Sequence, residues 1–223
     1  MAGKTSSLLI VILFILVPFG YAWYVWPNLP PTIPTHFGIN GEPDAWGKKD
    51  SIFMLPMIMG GMSLFVYLLL SNIRKIDPKR YGNSDDTTFR KFAILIVAFM
   101  NLMSLIILYN MVNRDLSMNK VIFVFLGIFF AGIGLFMPKL KQNYFAGFRL
   151  PWTLDNENNW IETHKLAGKF WVAGGAAQIV TALVFDGKML FIIFFAITLV
   201  MVIVPVIFSY KMFRQTVNKN QAQ

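Results

Sequence analysis

The sequence predicts an all-α polytopic membrane protein with six transmembrane helices and both termini in the cytoplasm. Three observations carry this. Hydrophobic residues make up 56% of the 223 positions and charged residues only 14%, where a soluble domain has roughly 25% charged. Apolar stretches at 8–26, 51–72, 92–113, 121–137, 167–185 and 189–210 each match the roughly 17–25 residues that cross a bilayer as a helix. With the N-terminus inside, 15 of the 20 Lys and Arg fall on the inner side, in the termini and inner connections, as the positive-inside rule demands.

Helices rather than barrel strands follow because the stretches lack the alternation of lipid-facing and lumen-facing residues, and an isolated span must satisfy its own backbone. The first stretch has Lys4 before it and a small pair at Gly20 and Ala22, as a cleaved signal would. It nevertheless runs on through Trp23, Tyr24, Val25 and Trp26, an aromatic interfacial anchor, so a retained helix is expected. Pro56 and Pro205 should bend the second and sixth helices. Small residues at helical spacing, Gly127 with Ala131 and Ala173 with Ala177, should let helices approach closely. Asn101, Ser104, Asn110, Gln178 and Thr181 should form interhelical hydrogen bonds. Lys169 falls in the first turn of the fifth stretch, near enough to its end to snorkel. No acid or Arg lies mid-membrane, which disfavours an ion-coupled transporter. The polar tail from 218 is expected to be disordered.

The composition bounds the chemistry. The chain has no Cys, so thiol nucleophiles and disulfides are excluded. The net charge of +9 is accounted for by inner-side cations facing anionic lipid, with no direct nucleic-acid partner implied. HExxH, G-x-S-x-G, phosphate-loop and dinucleotide fingerprints are all missing. The two His lie on opposite sides of the expected topology and cannot share a zinc ion. No catalytic residue, metal site or cofactor is assigned.

Two connections are unusual. The outer one, 27–50, contains LPPTIPTHFGINGEPDAWGKKD. Pro30, Pro31 and Pro34 hold it extended, and Asn40-Gly41 is a hairpin-turn pair. His36 and Phe37 should therefore lie on one short arm, with Asp44 and Trp46 on the other. Such an element is either a rigid lid over helix ends or a recognition surface for something arriving from outside. The inner connection, 138–165, contains NYFAGFRLPWTLDNENNWIETHK, several times longer than the roughly two to eight residues a helix–helix link needs. Arg149-Leu150-Pro151-Trp152 should be extended before the proline. A helix capped by Asn158 or Asn159 should lead into the fifth crossing, with Trp160 and His164 on one face. This segment reads equally as an anchored amphipathic stretch or as a docking or catalytic patch built on Glu162 and His164.

At these two connections the chain resembles the SdpI family of bacterial immunity proteins. IPTHFGINGEPDAWGKK is similar to that family's N-terminal conserved domain, with His36, Asn40, Gly41, Asp44 and Lys48 matching. NYFAGFRLPWTLDNENNWIETHKLAGK is similar to its C-terminal domain, with Asn143, Gly147, Arg149, Trp152, Thr153, Trp160 and His164 matching. The resemblance implies an N-terminal domain over 1–90 and a C-terminal domain over 91–217. It implies a multi-pass protein of the Gram-positive cell membrane that protects the producing cell from a secreted killing peptide. It also implies a toxin partner and, as in the family's best-known system, an ArsR-type repressor drawn to the membrane. On this reading His36, Asn40, Gly41, Asp44, Trp46 and Lys48 form the toxin-facing surface, and the seven inner residues form the second functional motif. A small-molecule or lipid transporter with a polar cavity near Asn101 and Gln178, or a membrane-embedded hydrolase using His36 or His164, is the alternative.

Overall fold

The computed structural model describes residues 2–38, 42–76, 87–113 and 117–221. Its elements in chain order are α1 (Ala2–Val25), β1 (Thr32–Phe37), β2 (Pro43–Lys48), α2 (Met54–Ser71), the short α3 (Ile73–Ile76), α4 (Thr87–Asn113), α5 (Met118–Phe136), the short α6 (Pro151–Asp155), α7 (Glu157–Val184) and α8 (Gly187–Gln221). Six of the helices, some with short 3₁₀ extensions, are long and apolar enough to span a membrane: Lys4–Asn28, Lys49–Ser71, Thr87–Asn113, Met118–Lys139, Glu157–Val184 and Gly187–Asn218. The chain is a multi-pass membrane protein. Its lipid-facing surface is visible in the exposed stripe Leu9, Leu13 and Leu16 on α1, spaced as one helical face.

Contacts divide the chain into two compact units, 1–73 with 89–125 and 74–88 with 126–223, and the division falls within α5. In the first unit a core of Ala22, Ile33, Ile52, Leu108 and Met111 joins α1, the β-hairpin and α4. Deeper in this unit Asn101 donates from Nδ2 to Ser63 Oγ at 3.0 Å and to Val97 O at 2.9 Å, the interhelical bond expected of it. Ser104 Oγ is buried and has no partner among the described residues. The cavity beside Asn101 is about 120 Å³, and its other lining residues are apolar, among them Leu13, Val17 and Pro18. It is too small and too apolar to serve as a transport site.

In the second unit α5 and α7 nearly touch. A Cβ on Gly127 would lie 2.8 Å from Gly175 O, and one on Gly134 would lie 2.9 Å from Gly168 O. Neither position tolerates a side chain, and the loss of helix propensity at Gly168 and Gly175, about 1 kcal/mol each, is offset by this packing. Gly127 and Ala131 behave as the sequence suggests, since Ala131 N also meets the Gly175 position. Ala173 and Ala177 do not: both are exposed, and the contact face of α7 is the Gly168–Gly175 stripe, one helical face away. Gln178 bridges α7 to α8, donating to Thr198 Oγ1 at 2.8 Å. Thr181 instead bonds back to Ala177 O in its own helix.

Three further expectations change. Pro56 lies in the first turn of α2, where a missing N–H costs nothing, so it starts that helix rather than bending it. The interior prolines are Pro18 in α1 and Pro205 in α8. Lys169 sits well inside α7 rather than in a first turn, because the helix expected to lead into the fifth crossing and the crossing itself are one continuous helix from Glu157. The residues 218–221, expected to be disordered, continue α8 to Gln221.

Candidate functional site

The hairpin is held from below and open above. β1 and β2 pair antiparallel, with Ile33 opposite Gly47 and Pro34 opposite Trp46. Ile33 is buried in the first unit's core while Thr32, Thr35 and His36 are exposed. Lys49 N donates to Pro31 O at 3.0 Å, and Trp26 Nε1 donates to Asp50 Oδ1 at 2.8 Å. Lys49 Nζ lies 4.3 Å from the Trp26 ring centre, a cation–π contact that ties the hairpin base to the end of α1.

The register is irregular between Pro34 and Phe37, where His36 faces Ala45. In a regular ladder Asp44, next to Ala45, would point to the opposite face from His36. The irregularity brings them together: His36 Nδ1 and Asp44 Oδ1 are 2.5 Å apart, with side chains 69% and 53% exposed. An exposed pair of this kind is worth only about 0–1 kcal/mol. Its geometry therefore matters more for what it presents than for stability. Trp46 is 54% exposed and Lys48 is exposed. Asn40 and Gly41, the expected turn and site residues, lie outside the described residues. Beside His36 a groove of about 390 Å³ runs along the hairpin between Phe37, Met54, Ile58, Met111 and Met118.

The segment 143–165 is, by contrast, a locked knot. Asn143 is fully buried. Its Nδ2 donates to Lys141 O and Ala146 O at 2.8 and 3.0 Å, and its Oδ1 accepts from Phe145 N and Ala146 N, both at 2.7 Å. All four of its hydrogen-bonding positions are used. Gly147 follows with φ +107°, and a Cβ there would collide with His164 Nε2. Phe148 N donates to His164 Nε2 at 3.0 Å, and His164 Nδ1 lies 2.8 Å from Trp160 O. A carbonyl only accepts, so the imidazole is neutral with its proton on Nδ1. Neither ring nitrogen is left for a metal or a substrate. Trp160 stacks on His164 at 3.9 Å between ring centres and donates Nε1 to Leu140 O at 2.7 Å.

Leu150 is extended at φ −94°, ψ 152°, and Pro151 opens α6, as the residue before a proline requires. Thr153, fully buried, donates Oγ1 to Phe148 O at 2.6 Å and accepts from Leu150 N at 2.9 Å. Trp152 donates to Ser209 Oγ at 2.9 Å and stacks on Phe213. The cap of α7 is Asn156, whose side chain accepts from Asn159 N, rather than Asn158 or Asn159. Arg149 is the motif's exposed charged side chain, and one guanidinium nitrogen donates to Tyr144 O at 2.7 Å. Glu162 pairs with Lys165 at 2.7 Å on the surface, away from His164. The structure therefore brings together Asn143, Gly147, Thr153, Trp160 and His164 and leaves Arg149 at the rim.

Sequence reasoning missed Gln142, which donates to Thr153 O and Leu154 O at 2.8 and 2.9 Å, and read Asn159 only as a cap, whereas its side chain donates to Ser209 O at 2.9 Å. Ser209 was a visible signal, as a polar residue in an apolar run facing a polar segment.

Residues 139–209 match the model of the SdpI/YfhL protein family, and residues 13–60 match a domain of unknown function (DUF1648). The chain is similar to Immunity protein SdpI of Bacillus subtilis (strain 168), with 24% identity over 93% of this chain and 96% of the relative. It is also similar to an uncharacterized protein of Archaeoglobus fulgidus, with 33% identity over 27% of this chain and 33% of that one. No solved structure matches.

Proposed function

We infer, from a chain whose residues 139–209 match the SdpI/YfhL protein family, an immunity protein that protects its own cell from a secreted killing peptide. The observation that carries the reading is the near full-length similarity to a protein named for immunity. The hairpin supplies the chemistry: an exposed His36–Asp44 pair, the Trp46 ring and Lys48 beside an apolar groove suit an amphipathic peptide with a cationic group. The second motif supplies a rigid frame, with Arg149 at its rim as a contact for a cytoplasmic partner. In this reading that partner is an ArsR-type repressor, and the protein works by binding rather than by turnover.

The reading requires opposite sides for the two elements. With both termini cytoplasmic, the hairpin is outside and the 143–165 knot inside. Because the chain has no Cys, single introduced thiols report this cleanly. Glu42→Cys should react with an impermeant maleimide on intact cells, and Glu157→Cys only after permeabilisation. The reverse pattern would invert the topology and remove the hairpin as the toxin-facing surface.

Survival tests the function. A sensitive Gram-positive strain expressing the chain should outgrow the empty-vector strain when challenged with a panel of secreted killing peptides. Equal killing by every peptide, with the protein present in the membrane, would end the immunity reading.

A further inference from the structure

On the second unit a groove of about 790 Å³ follows one face of α7. Lys165 and Lys169 stand at its α7 N-terminal end, and Leu135, Val172, Ala176 and Phe208 wall the rest. Residues 165, 169, 172 and 176 form a single helical stripe, spanning about 16 Å at 1.5 Å per residue. The opposite face of α7 carries the buried Asn159, Trp160 and His164. The groove exists because the glycines of α5 and α7 bring those backbones together and leave nothing to fill the surface beside the crossing.

Charge selects the occupant. Lys165 is already paired with Glu162 at 2.7 Å. Lys169 is exposed and has no hydrogen bond or ion pair among the described residues. One uncompensated ammonium therefore stands where apolar groove meets polar surface, within a span of membrane length. A volume of this size accommodates a headgroup and the upper part of an acyl chain. We propose that this groove binds an anionic phospholipid, with its phosphate on Lys169 and Lys165 and one acyl chain along Val172 and Ala176. A zwitterionic lipid would bring an equal positive charge to the same place. The groove would hold such a lipid whatever the protein's partner is.

The test uses the full chain in nanodiscs of equal phosphatidylcholine and phosphatidylglycerol, released into mild detergent, with retained lipid counted by native mass spectrometry. Wild type should retain phosphatidylglycerol over phosphatidylcholine by about fivefold, the factor that one near-surface lysine contact of about 1 kcal/mol provides. Lys169→Glu should abolish the preference. Ala176→Phe, at an exposed groove position, should lower retention of both lipids. Excess inorganic phosphate should not displace the lipid. Retention at the bilayer ratio in wild type would overturn the proposal, as would a preserved preference in Lys169→Glu. Unchanged retention in Ala176→Phe would remove the acyl groove, and displacement by phosphate would mean that the lysines take a free anion instead.

Discussion

Gly147→Ala should unfold the 143–165 knot. Its φ of +107° lies where L residues are strained, and its new Cβ would strike the His164 ring. Backbone strain of about 1–3 kcal/mol adds to overpacking of about 1–3 kcal/mol. The ring cannot step aside, because His164 is 1% exposed, stacked on Trp160 and bonded at both nitrogens. Thermal unfolding in detergent should show the midpoint falling by many degrees. The double variant Gly147→Ala/His164→Ala should cost less than the sum of the two single changes, because the clash is shared. Strict additivity would mean that the glycine is needed for its backbone alone.

Trp160→Ala should cost about 3–5 kcal/mol, the usual range for emptying a large buried aromatic site. Trp160 is 1% exposed and donates to Leu140 O at 2.7 Å. Trp160→Phe separates the two contributions. It retains a ring to stack on His164 but leaves a carbonyl at 140 without its donor, at about 1–3 kcal/mol. The order of unfolding midpoints should be wild type, then Phe, then Ala. Equal losses for Phe and Ala would assign the whole effect to the hydrogen bond.

These effects explain why the second motif was so legible. Asn143, Gly147, Thr153, Trp160 and His164 each meet a local geometric demand: an Asn using all its bonding positions, a glycine facing a ring, a histidine with one tautomer. The six spans were legible from apolar length alone, and the two-armed hairpin from its prolines. What escaped was decided by packing partners. The α5–α7 contact ran along Gly168 and Gly175 rather than Ala173 and Ala177, because the rotation of α7 is set by its neighbours. The helix leading into the fifth crossing was legible from its Asn-rich start, and only its cap, Asn156 rather than Asn158 or Asn159, was misplaced. The meeting of His36 with Asp44 depends on a register irregularity that no strand pattern discloses.

If the hairpin face meets the toxin, as proposed, Asp44→Ala removes protection without removing the protein. The His36–Asp44 pair is exposed and contributes about 0–1 kcal/mol at most, so the variant should fold and reach the membrane at wild-type level. In a strain that the wild type protects, Asp44→Ala, and likewise Trp46→Ala, should leave the cells as sensitive as the empty-vector strain. Full protection by both variants at equal membrane abundance would contradict the proposal.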